Sequence, residues 1–215
     1  MAFFISFEGI EGSGKSTQIR ILKEYLERCG RQVVATREPG GCPIADAIRA
    51  ILLDPANHAL VTRTELLLYA AARAQHIEQV IRPALADGAT VICDRFADAT
   101  TAYQGGGRGL DAGLVAELNA IASAGLTPDL TLLLDFPVEL GLSRARQRNR
   151  LSPCLAEGRF ELEELDFHQR VRMTYLTLAA REARFRIIDA VGTEQLVAKR
   201  VAVAVDTFLA QAGAA

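Results

Sequence analysis

Apolar residues recur along this chain in two alternating registers, and each switch between them marks an element. Residues 3–8 form an apolar run rich in β-formers, and residues 15–28 then repeat apolar side chains at helical spacing through Ile19, Leu22, Tyr25 and Leu26. Gln32 to Thr36 reads as a short buried strand and residues 44–53 as a short helix. A longer helix is predicted over 63–85, with the stripe Leu66, Tyr69, Ala70, Arg73, Ile77 and Val80. Strands follow at Thr90 to Arg95 and Leu130 to Asp135, separated by a glycine-rich loop at Tyr103 to Gly109 and a helix at 111–124. A helix from Leu140 to Arg150 breaks at Leu151 to Arg159, and a new one is expected from Phe160 to about Ala183. Phe185 to Asp189 and a final helix end the chain. Five strands alternating with helices predict a mostly parallel sheet in three layers.

Composition narrows the picture. A 215-residue chain that is 50% hydrophobic suits one α/β domain. The formal charge of −2 argues against nucleic acid as a partner, so any anion site is local. Cys29, Cys42, Cys93 and Cys154 show no C-x-x-C pair, as expected of reduced thiols. No basic leader and no uncharged apolar run of about 18 residues is present, which predicts no membrane association and a cytoplasmic location.

The chemistry concentrates at Gly9-Ile10-Glu11-Gly12-Ser13-Gly14-Lys15-Ser16-Thr17, between the first strand and the first helix. The G-x-x-x-x-G-K-[ST] spacing lets backbone N–H groups turn inward on a phosphate at a helix N-terminus. Lys15 can reach the β- and γ-phosphates of a nucleotide, and Ser16 can ligate Mg²⁺. Asp94, at the tip of a strand, is the expected second metal ligand, with Arg95 beside it; Asp135 is the rival strand-end acid. Arg73 interrupts an apolar stripe and needs a carboxylate, an aromatic face or a ligand. Tyr69 lies one turn before it. Taken alone, the arginines at 144, 146, 148 and 150 read as a solvated face or a nucleic-acid patch; with the helix break that follows, they suit an arginine-bearing lid over about residues 148–161.

Several stretches together resemble thymidylate kinases of the bacterial kind. These are Phe7-Glu8-Gly9 with the phosphate loop, Thr36-Arg37-Glu38-Pro39-Gly40-Gly41, Ala71-Ala72-Arg73, Asp94-Arg95, Ala102-Tyr103-Gln104-Gly105-Gly106-Gly107-Arg108-Gly109 and Pro128-Asp129-Leu130-Thr131. The resemblance implies a phosphate-loop NTPase fold of the nucleoside-monophosphate-kinase type. It also implies transfer of the γ-phosphoryl of ATP to dTMP with Mg²⁺ in a homodimer. By position, Tyr69 stacks on thymine, Arg73 bonds its carbonyl edge, Thr100 lies near the base, Tyr103 lies against the sugar, and Gln104 is a further substrate-binding residue. Glu11 matches the acid near the 3′-hydroxyl, Arg49 and Arg95 hold the acceptor phosphate, and Arg144 neighbours the adenine. Some members carry an arginine where this chain has Gly12; here the lid supplies it, with Arg159 the candidate and Arg148 and Arg150 the alternatives. The rival readings are a related kinase with another acceptor and a module that binds ATP without turnover.

Overall fold

The computed structural model describes residues 1–151 and 159–213, with the side chains of 149–151 set aside. Five strands, β1 (Phe4–Glu8), β2 (Val33–Arg37), β3 (Thr90–Asp94), β4 (Leu130–Asp135) and β5 (Phe185–Asp189), form one sheet in the order β2-β3-β1-β4-β5. Every pairing is parallel, with Phe7 opposite Asp94 on one side and Leu132 on the other. Among the described residues no strand runs against the rest, so the mostly parallel sheet expected from sequence is wholly parallel there.

Parallel strands covered on both faces read as continuous apolar runs, and β1 is buried at every position. Its alternate side chains feed different layers. Ile5 and Phe7 pack with Ile19, Leu22 and Leu26 of α1 (Lys15–Arg28) and with Val197, Val201 and Val205 of the last helix. Phe4 points the other way, to Ile77, Ile81, Val91 and Phe96. Each fully buried aromatic or aliphatic side chain contributes about 1.5–3 kcal/mol, so this alternation fixes the strand's register and its facing.

The other helices are α2 (Pro43–Leu53), α3 (Thr62–His76), α4 (Arg82–Ala86), α5 (Ala97–Thr100), α6 (Ala112–Ser123), α7 (Val138–Leu151), α8 (Leu165–Arg181) and α9 (Glu194–Gly213). The single helix expected over 63–85 is divided: Ile77–Ile81 is a π-helical turn between α3 and α4. Pro83 cannot donate a backbone hydrogen bond, which disfavours a regular α-helical ladder through this point. The loop expected at Tyr103 to Gly109 is also helical, a π-turn over Thr101–Gly107 that continues α5. Its glycines serve close approach: a Cβ on Gly106 would lie 2.0 Å from Thr174 Oγ1, and one on Gly107 would lie 2.5 Å from the Phe167 ring. The helix expected to start near Phe160 starts at Leu165, after turns at 159–163. The predicted break at Pro153 and Cys154 lies outside the described residues.

Among the described residues no helix is long and apolar enough to cross a membrane, and Cys29, Cys42 and Cys93 are free thiols. Because β1 sits between β3 and β4, the segments leaving β1 and β3 emerge side by side at the carboxyl edge of the sheet. Crevices of open parallel sheets form at such an edge.

Candidate active site

The phosphate loop turns on Gly9, Gly12 and Gly14, with φ of 136°, 70° and 92°. At Gly12 the requirement is also steric. A Cβ there would sit 2.1 Å from the Gly141 carbonyl oxygen in α7, and a Cβ on Gly141 would sit 2.5 Å from the Glu11 carbonyl oxygen. The loop and α7 touch backbone to backbone.

Lys15 is buried, and its Nζ donates to the carbonyls of Gly9 (3.0 Å) and Ile10 (2.9 Å). Burial, with Arg95 adding to it, lowers its pKa to about 8. Ser16 opens α1, and its hydroxyl lies 3.2 Å from Asp94 Oδ2. Asp135 is instead gripped by Arg172 through bonds of 2.7 and 2.8 Å. Of the two strand-end acids, Asp94 is the one that meets the phosphate loop. Thr17 follows Ser16 in the first turn of α1.

Arg95 takes a left-handed backbone, φ 71°, directly after β3, and its amide donates to the Phe7 carbonyl. This aims the guanidinium across the loop. Nη1 donates to Gly9 O (2.8 Å) and Tyr175 Oη (3.1 Å), and Nη2 to Glu11 Oε1 (3.1 Å) and Tyr103 Oη (3.0 Å). Tyr103 Oη donates to the same Glu11 oxygen at 2.5 Å, while His168 Nδ1 stands 3.2 Å from the other. Burial alone would raise the Glu11 carboxyl, but His168, Arg95 and Lys15 outweigh it and hold it down at about 2. Below this group, Glu8 accepts from the Phe96 amide and Tyr175 Oη, and burial, reinforced by Asp98, pushes it up to about 8.

A cavity of about 560 Å³ opens beside the loop. Its wall includes Glu11, Gly12, Lys15, Ser16, Asp94 and Arg95 from the phosphate side. Arg49, Tyr69, Arg73, Thr100, Tyr103 and Gln104 line it too, so the residues expected at the acceptor converge on one space. Arg49 Nη1 donates to the Pro39 carbonyl at 2.7 Å. Tyr69 is partly buried, and desolvation raises its hydroxyl above the ordinary tyrosine value.

The polar partner that Arg73 requires is Glu38, with Nε to Oε2 at 2.8 Å. Its Nη1 donates to Asn119 Oδ1, and its Nη2 to Thr100 Oγ1 and the Phe96 carbonyl. The guanidinium also lies 5.4 Å from the centre of the Phe96 ring. The second hydrogen of Nη1 has no acceptor among the described residues. Thr100 Oγ1, already accepting, keeps its own hydrogen to give.

Arg159, expected above the transferring phosphoryl group, is elsewhere. It is buried, with Nε on the Leu52 carbonyl (2.7 Å) and Nη2 on Glu65 Oε2 (2.5 Å), and it is not part of the cavity wall. Glu65 also takes hydrogen bonds from Gln104 and Arg108. Arg148 does line the cavity; its side chain is 63% exposed and 3.5 Å from Glu161. Arg144 lies over the Phe136 ring at 4.3 Å. The side chain of Arg150 lies outside the described residues. Glu38, His76, Glu65 and His168 carried no assigned role in the sequence. Only Glu38 had a signal, its place inside the Thr36 to Gly41 motif.

A nucleotide-binding loop, a paired hydroxyl and carboxylate beside it, and an adjoining cavity with arginines at two levels define a phosphate-loop kinase of small phosphorylated acceptors. The family profile described as thymidylate kinase matches residues 7–201. The chain is 58% identical over 208 residues to the thymidylate kinase of Trichlorobacter lovleyi, covering 96% of this chain and 98% of that one. It is 61% identical over 191 residues to that of Geotalea daltonii, covering 88% and 89%. The crystal structure of thymidylate kinase from Ehrlichia chaffeensis matches with a TM-score of 0.76 and 32% identity, covering 95% of this chain and 98% of that one. The chain belongs to the thymidylate kinase family.

Proposed function

We propose that the protein transfers the γ-phosphoryl group of ATP to dTMP, giving dTDP and ADP, and that Arg73 and Thr100 select the base. The supporting observation is the pair of hydrogens left over at those two side chains. Both can donate, which suits the carbonyl edge of thymine and disfavours the amino group of cytosine. Tyr69 supplies the stacking ring and Gln104 a neighbouring polar group. Tyr103, held by Glu11 and edge-on to Phe160 at 5.5 Å, forms a fixed wall for the sugar. Glu11 faces the same region, where the 3′-hydroxyl is expected.

Catalysis here consists of bringing two polyanions together and neutralising them. Lys15 and the loop amides of residues 9–17 take the donor phosphates, while Arg49 and Arg95 take the acceptor phosphate. The acceptor oxygen is already anionic, so no general base is needed. Ser16 and Asp94 offer hard oxygen ligands fitted to Mg²⁺, which when bound neutralises charge on the donor phosphates. Arg144 is the adenine neighbour. A homodimer is the expected assembly, and Ile44 and Ile51 of α2 with Leu67 of α3 provide an exposed apolar face for it. The deciding experiment measures ADP formation from Mg·ATP with thymidine, deoxyuridine, uridine, cytidine, adenosine and guanosine monophosphates in turn. Strong preference for dTMP supports the assignment, and turnover with another acceptor in its place refutes the base-site reading.

The place of Arg148 in the cavity wall supports it over Arg159 as the lid arginine. Arg148→Ala should lower kcat by about 10²-fold, the effect of removing one donor to transition-state charge, with an unchanged melting temperature. Arg159→Ala should instead lower the melting temperature, because it strips a partner from buried Glu65. The cost should fall near the low end of about 3–5 kcal/mol, since Arg108 and Gln104 remain. Side-by-side kinetics and thermal melts of the two variants check both; the reverse pattern would return the role to Arg159.

A further inference from the structure

Behind Arg73 a line of buried polar side chains runs away from the cavity. Glu38 spends one carboxylate oxygen on Arg73 Nε and the other, Oε1, on His76 Nδ1 at 3.0 Å. His76 Nε2 lies 2.6 Å from Thr36 Oγ1. The imidazole is fully buried and Glu38 is 5% exposed, so the Glu38–His76 contact is largely shielded from solvent. Glu38 Oε1 accepts, so Nδ1 carries a hydrogen, and Nε2 pairs with the Thr36 hydroxyl, which can serve as either donor or acceptor.

A second observation shows that the fold makes room for this ring. Gly41 has φ +88°, and a Cβ on it would lie 2.5 Å from Thr36 Oγ1 and 2.6 Å from His76 Nε2. The glycine thus lets the strand-end loop close over the imidazole. Glu38 is anchored at its backbone as well, its amide donating to the Asp94 carbonyl at 2.9 Å.

We propose that His76 is a positioning residue for pyrimidine recognition: with Thr36 behind it, it fixes the Glu38 carboxylate, which orients the Arg73 guanidinium. This rests on the reading of Arg73 as the base contact. His76 touches no substrate. Its effect arises because a carboxylate held on both oxygens cannot rotate, and Arg73 is left with a single direction for its remaining N–H. The ligating atoms of Glu38, His76 and Cys93 come within 4.8 Å of one another, the spacing of a metal site. That use is disfavoured, because Arg73 already neutralises Glu38 and burial pushes the Cys93 thiol well above its ordinary value. A cation would face a guanidinium and a thiol that holds its proton.

The test compares steady-state constants of wild type, His76→Asn, His76→Leu and Thr36→Val. Asn places an amide N–H near the Nδ1 position, whereas Leu supplies no donor. For His76→Leu the KM for dTMP should rise about tenfold, the worth of one hydrogen bond to a charged group, with the KM for ATP unchanged. His76→Asn should restore the dTMP constant to within about threefold of wild type, and Thr36→Val should raise it by about two- to threefold. Should His76→Leu not fold, the Asn and Val variants decide the matter through the dTMP-to-ATP ratio. Equal KM changes for both substrates, or no difference between Asn and Leu, would overturn the proposal. Arg73→Ala separates the two layers: a large dTMP effect there with a flat His76 series refutes the inference alone, while no dTMP effect refutes the base-site reading itself.

Discussion

Replacing Lys15 with Met should reduce turnover by about 10³-fold while leaving dTMP binding intact. Met keeps the aliphatic stem and volume but removes the charge that meets the donor phosphates, an interaction whose worth grows as charge builds on the transferring group. The lysine folds back on the Gly9 and Ile10 carbonyls, and burial lowers its pKa to about 8. A lysine whose folded pKa lies below its unfolded value holds its proton less readily in the native state. The unfolded chain then binds more protons between about pH 8 and 10.5, and native stability rises with pH across that window. Below it, the buried charge is a standing cost. Lys15→Met should therefore leave the melting temperature at neutral pH unchanged or raise it, and remove the rise at alkaline pH. Calorimetric titration with dTMP, single-turnover kinetics and melts from pH 7 to about 10.5 check the three parts. Turnover within tenfold of wild type would remove Lys15 from the chemistry.

Arg73→Ala should act on both binding and stability. The base loses a charged donor, which raises the KM for dTMP by about 10²-fold and leaves that for ATP within about threefold. The protein also loses the cation paired with a buried carboxylate. Glu38 would keep only its bond from His76, at a cost of about 3–5 kcal/mol. Lysine should not rescue it, since a point charge cannot reach Glu38, Asn119, Thr100 and the Phe96 carbonyl at once. Kinetics with each substrate varied and denaturant melts of the Ala and Lys variants check this. Matching KM changes for ATP and dTMP would refute the base contact.

How far these positions could be read from sequence depended on how local their cause is. The phosphate loop was legible because its geometry is written in consecutive residues between a strand and a helix. Arg73 announced its own need, and the structure meets it with the carboxylate of Glu38, the ring of Phe96 and a place in the cavity wall. Which carboxylate answered was not legible, because Glu38 lies 35 positions away and arrives through the pairing of β2 with β3. The pairing of Arg159 was illegible for the same reason: its partner Glu65 is 94 residues distant, and no spacing rule connects a turn after α7 with the first turn of α3. The glycines at 105–107 showed the opposite difficulty. In sequence they suggest freedom; in the fold two of them are where α8 presses closest.

The contact between Gly12 and Gly141 bears on how such enzymes diverge. The family resemblance implies members with an arginine where this chain has Gly12. Here any side chain at that position must first push α7 away from the loop, and α7 is the helix that carries Arg144 and Arg148. An arginine placed at Gly12 would shift the helix bearing Arg144 and Arg148 in the same step, so a change at one position is mechanically coupled to the other two.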